Sequence, residues 1–100
     1  MLSVEVIHRP SEGVIKLLYN RIHDKEGKGW LEEGRVESVG LVQGPLSAIL
    51  AAMDAAEKAA DVKAVEVSGV CPQHIVLIAL LGSTTSVITS VETIKKKNGM

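Results

Sequence analysis

Aromatic side chains are almost absent from this 100-residue sequence, which has one Trp, one Tyr and no Phe although 46% of its residues are hydrophobic. A core without large rings has to be assembled from Ala, Val, Ile and Leu, and such a core suits thin, closely spaced layers. Cysteine is nearly absent too: Cys71 stands alone. One thiol excludes a disulfide within the chain and fits a reducing interior better than a secreted disulfide scaffold. Neither sign of charge dominates, with 11 Lys and Arg against 12 Asp and Glu. No basic field is left to draw nucleic acid or an anionic membrane. No apolar run approaches the roughly 20 residues that span a bilayer, and no charged-then-apolar leader is visible. The expectation is a single cytosolic globular domain over 1–100, with neither nucleic acid nor membrane as partner.

What is present has clear punctuation. LSVEVIH (2–8) alternates apolar and polar residues as a half-buried strand does, and Pro10 ends it. Ser11 can cap a helix to about Arg21 with Val14, Leu17, Leu18 and Ile22 on one face. Residues 24–35, DKEGKGWLEEGR, combine three glycines with dense charge and read as an exposed connection. Trp30 within it is expected to fold back over the core. VESVGLVQG reads as a strand closed by Gly44-Pro45, and Pro45 suits the first turn of a helix. That helix runs to about Ala60, with Leu46, Ile49, Leu50, Met53 and Ala56 or Glu57 as its inward stripe. KAVEVSG (63–69) and HIVLIALLG (74–82) read as strands. Ser83 or Thr84 starts a last helix with Val87, Ile88, Val91 and Ile94 inward, and the closing lysines suit a helix C-terminus. The order is β-α-connection-β-α-β-β-α, an α+β fold.

The stretch VESVGLVQGPLSAILAAMDAAEKAADVKAVEVSG, followed by IVLIALLGSTTSVITSVETI, resembles the bacterial microcompartment (BMC) shell domain. It shows that family's strand, its Ala-rich helix (here AAMDAAEKAADV), a short Val-rich strand, a Gly-containing turn, a further apolar strand and a second helix. The resemblance covers about 36–97. The family's usual final strand and helix are missing after this stretch, whereas SVEVIHRPSEGVIKLLYNRI stands in front of it. This order is similar to that of the circularly permuted members, with 2–22 as the displaced strand–helix pair and 24–35 as the connection. The resemblance implies an antiparallel sheet with helices packed against it, assembled as a flat cyclic homohexamer in a microcompartment shell within the cytoplasm. Other shell proteins are the implied partners, and the role is structural, not enzymatic.

SGVCPQH (68–74) occupies the turn that lines the central pore in that family, so Ser68, Gly69, Val70, Cys71, Pro72 and Gln73 are the pore-lining residues the resemblance implies. Gly69-Val70-Cys71-Pro72-Gln73 is similar to the GxCPQ pore motif of a permuted group from glycyl-radical-type microcompartments, which is associated with iron–sulfur cluster binding. The implied cofactor is an iron–sulfur cluster of the four-iron type, shared between subunits, with Cys71 as ligand. Small metabolites or electron carriers would be the traffic through the pore. The chemistry is coherent: a cluster needs about four soft thiolates, one chain has one, and cyclic symmetry multiplies a lone Cys at an axis. Pro72 restricts Cys71 toward an extended backbone, and Gly69 permits close approach. Lys58, in AEKAA, falls where the family has a lysine at the edge between hexamers, although a solvated helix lysine reads the same way. Two other readings stay open. One is a small-ligand or redox-regulatory α+β module using Cys71. The other is a thiol enzyme built on Cys71 and His74, for which no oriented base or oxyanion site is marked. His8 and His23 lack metal spacing and read as surface or edge residues.

Overall fold

The computed structural model describes residues 2–69 and 75–100. Along the chain run β1 (Ser3–His8), α1 (Glu12–Arg21), α2 (Lys25–Glu32), β2 (Ser38–Pro45), α3 (Leu46–Ala59), β3 (Val62–Val67), β4 (Ile75–Gly82) and α4 (Thr84–Lys97). The strands form one antiparallel sheet in the order β1-β2-β4-β3. The expected α+β architecture, an antiparallel sheet with helices packed against it, is thus present.

Alternation along each strand sorts the side chains onto two faces. Leu2, Val42, Ala64, Ile78 and Leu80 pack with Ile49, Ala52 and Ala56 of α3 and with Val87, Val91 and Ile94 of α4. Val39, Val65, Val67, Ala79 and Leu81 pack on the other side with Leu18, Ile22 and Leu31 from α1 and α2. The central strands are therefore covered twice, which is why β4 reads IVLIALLG as an unbroken apolar run. The result is a slab with extents of 33 × 32 × 20 Å. Gly40 lets α4 lie close to the sheet: a Cβ there would sit 3.0 Å from Val91 Cγ2 and 3.3 Å from Val87 Cγ1. The two helices on that side are tied by the buried Ser90 hydroxyl, which donates to the Ala56 carbonyl at 2.9 Å.

Two expectations need correction. Residues 24–35 are not an irregular exposed connection, because most of them form α2. Asp24 caps that helix by accepting from the Gly27 N–H at 2.8 Å, and Gly27 and Leu31 are buried. Trp30 does fold back against the α1–α2 side of the core, and the Arg35 guanidinium lies 4.0 Å from its ring centre. The inward stripe of α3 is also rotated from the expected one. Ile49, Ala52, Ala55 and Ala56 are buried, while Leu46 and Leu50 are more than half exposed. Alanines let the helix axis approach the sheet more closely than leucines would, and the remaining space is filled from the strands. The same bias misplaced Leu17 of α1, which is 56% exposed.

Candidate functional site

The turn from β3 to β4 is anchored on its β3 side by the end of α1. α1 starts where Ser11 accepts from the Val14 N–H at 3.3 Å and ends at Ile22, which is fully buried. Ile22 leaves the helix extended and forms an isolated antiparallel bridge with Val67, on the outer edge of β3. One residue further, the Ser68 N–H donates to the Arg21 carbonyl at 2.8 Å. The Arg21 side chain returns the contact, with Nη1 donating to the Ser68 carbonyl at 3.3 Å. The stem of the turn is therefore held by both the backbone and the guanidinium of Arg21. Leu17, Asn20, Arg21, His23, Ser68 and Gly69 line a shallow depression beside it.

Of the residues expected at the pore, Ser68 and Gly69 are placed at this stem, Ser68 half-buried and Gly69 exposed. Val70, Cys71, Pro72 and Gln73, together with His74, lie outside the described residues. On the far side of the turn, Ile75 pairs with Pro45 and Val76 with Gly44 at the end of β2. Lys58 is exposed near the end of α3, and its amine is 2.9 Å from Asp54 one turn back. Such an exposed pair contributes less than about 1 kcal/mol, so it leaves the lysine available to other partners.

Three polar clusters carry no signal in the sequence. Lys63 of β3 lies 2.6 Å from Glu26 and 3.8 Å from Asp24, so it joins the sheet to the first turn of α2. The hydrogen bond to Glu26 raises its pKa above the ordinary lysine value, against a smaller opposing effect of burial. Tyr19 of α1 donates to Glu32 of α2 at 3.0 Å, and that bond with the adjacent charge raises the phenol pKa. At the opposite end of the sheet, the fully buried Ser38 hydroxyl lies 2.9 Å from His8 Nδ1 and 2.8 Å from Thr84 Oγ1. This links β1, β2 and α4. The sequence carries no local signal for it, since the three residues are brought together only by the strand register, which places His8 opposite Ser38.

A family model described as BMC domain matches residues 38–100. Among solved structures, the GrpU microcompartment shell protein from Clostridiales bacterium 1_7_47FAA aligns with a TM-score of 0.69 and 26% identity, covering 98% of this chain and 93% of that one. The GrpU microcompartment shell protein from Pectobacterium wasabiae aligns at 0.70 and 20% identity, covering 93% and 99%. A fused permuted hexameric shell protein from the RMM microcompartment aligns at 0.72 and 18% identity, covering 97% of this chain and 45% of that one. A comparison with curated proteins finds no match.

Proposed function

The chain belongs to the BMC-domain family, and on that premise we propose that it works as a hexameric tile of a microcompartment shell, with the turn 68–75 around the ring axis. Its role is structural, and its place is the microcompartment shell in the cytoplasm. The observation that carries the tile reading is the family match from Ser38 onward on a slab only 20 Å thick. The matched stretch starts at β2, so β1 and α1 stand ahead of it. Their pairing with β2 and with the edge of β3 supports 2–22 as the displaced strand–helix pair of a permuted domain. Light scattering of the purified protein should give the mass of six chains, and electron micrographs should show flat sheets. A particle that stays monomeric at every accessible concentration would refute the tile.

Within this reading, Cys71 is the ligand of an iron–sulfur cluster shared between subunits. Such a cluster takes about four thiolates, and each chain carries one. Among the described residues no group of three or more His, Cys, Asp or Glu side chains is placed to hold a metal. Copies of Cys71 brought together by ring symmetry would supply such a donor set. When bound, the cluster would supply one-electron chemistry at the pore. The chain's own part is to hold the two ends of the segment that carries Cys71, Ser68 through Arg21 and Ile75 through its pairing with Pro45. Anaerobic reconstitution with iron and sulfide should give brown wild-type protein and colourless Cys71→Ser, with the same oligomer mass in both. Equal iron uptake by the two proteins would remove Cys71 as the ligand.

A further inference from the structure

The depression beside the turn stem has a chemistry that a structural tile does not require. Among the described residues its lining is Leu17, Asn20, Arg21, His23, Ser68 and Gly69, none of them acidic. The Arg21 guanidinium is oriented by its bond to the Ser68 carbonyl, which uses one of its five N–H donors. Among the described residues the ion pairs belong to Arg35, Lys58 and Lys63, and none of them includes Arg21. The guanidinium lies against Gly69, where an added Cβ would come within van der Waals contact, 3.7 Å, of Arg21 Nη1. A planar fork that is held in place, with no carboxylate partner among the described residues, suits the geometry of an oxyanion.

We propose that this depression seats a small oxyanion, the carboxylate or phosphate group of a small molecule, with Arg21 as the principal donor and Asn20 and His23 at its rim. Two effects limit the affinity. The carbonyls at the end of α1 carry partial negative charge that opposes an anion there, and the depression is shallow enough for water to compete. Binding near the millimolar range follows, equivalent to about 4 kcal/mol. The lining residues given for the seat come from one chain and do not include Cys71, so Cys71→Ser is expected to leave it intact. Its failure is therefore distinguishable from failure of the pore reading.

The test is a titration of ¹⁵N-labelled full-length protein with inorganic phosphate, and separately with acetate, at constant ionic strength. The expected result is saturable NMR shifts concentrated on residues 17–23 and 68–69. Arg21→Gln should weaken binding at least about tenfold, as loss of a charge-assisted hydrogen bond does. Arg21→Lys should weaken it less, because the charge stays and the fork is lost. Lys16→Gln, which removes the same charge elsewhere on α1, should leave binding unchanged. Arg21→Lys also decides the matter if Arg21→Gln proves unfolded by circular dichroism. Shifts that never saturate, that spread evenly over the lysines, or that persist unaltered in the Arg21 variants would overturn the proposal.

Discussion

Gly27 and Gly29 lie two residues apart in α2 and have opposite reasons to be glycine. A Cβ on Gly27 would sit 2.9 Å from Val65 Cγ1, a stiff, buried side chain of β3. A Cβ on Gly29 would meet only Glu33 Oε2, at 4.0 Å. In a helix interior, Gly→Ala gains up to about 1 kcal/mol from propensity and from the lower entropy of the unfolded chain. Overpacking costs about 1–3 kcal/mol. Gly29→Ala is therefore expected to raise the melting temperature and Gly27→Ala to lower it. Thermal unfolding of the two single variants checks this, and two upward shifts would contradict the close approach of α2 to β3. These glycines also explain why α2 was illegible in the sequence. Gly at such density reads as a loop, and what overrides it is tertiary: the Asp24 cap, the burial of Leu31 and the contact with Val65.

At the scale of elements, α2 is held against its neighbours by two groups whose pKa values are raised, Lys63 toward Glu26 and Tyr19 toward Glu32. A raised pKa means that the folded state holds the proton more tightly than the unfolded chain does. The stability each group adds is complete below its ordinary pKa, near 10 for both, and is lost as pH rises through the folded value. The docking of α2 should therefore weaken above about pH 10 and be indifferent to pH in the neutral range. Lys63→Gln should cost about 0.5 kcal/mol at pH 7, and urea unfolding should show that deficit shrinking above pH 10. A deficit that grows with pH would reverse the assignment. Elements with a strong period were legible: Ser11 and Ser83 cap α1 and α4 as read, and all four strands lie within one or two residues of their expected bounds. The phase of α3 was not legible, because hydrophobicity alone favours Leu46 and Leu50 over Ala52 and Ala55 as buried residues. The sheet chose the small side chains instead. Of the candidate site, Ser68 and Gly69 read in the sequence as the end of a strand, whereas β3 closes at Val67 and they follow it. The role of Arg21 was not legible, since its partner Ser68 lies 47 positions away.

For the molecule as a whole, the stretch matched by the family model is not self-sufficient. Residues 38–100 alone would lack α1 and α2, which cover Val39, Ala79 and Leu81, all fully buried in the complete chain. Exposing Val or Leu costs about 1.5–3 kcal/mol each, and three or four such residues consume most of a typical stability of about 5–15 kcal/mol. The isolated 38–100 fragment is expected to bind a hydrophobic dye and to lose a cooperative urea transition, whereas a cooperative, dye-silent fragment would show the first layer to be dispensable. The sheet order has a kinetic side as well. β3 and β4 are neighbours in sequence and in the sheet, with Val67 opposite Leu77. β1 waits for β2, with Val4 opposite Val42, and the end of α1 waits for Ser68. Loop closure favours the short connection, and non-local pairing is slow. On the ribosome, then, α1 emerges well before β3, the strand edge on which its end rests. Until β3 and β4 are made, Leu18 and Ile22 have no complete sheet face to pack against, which puts them within reach of chaperones that bind nascent apolar segments.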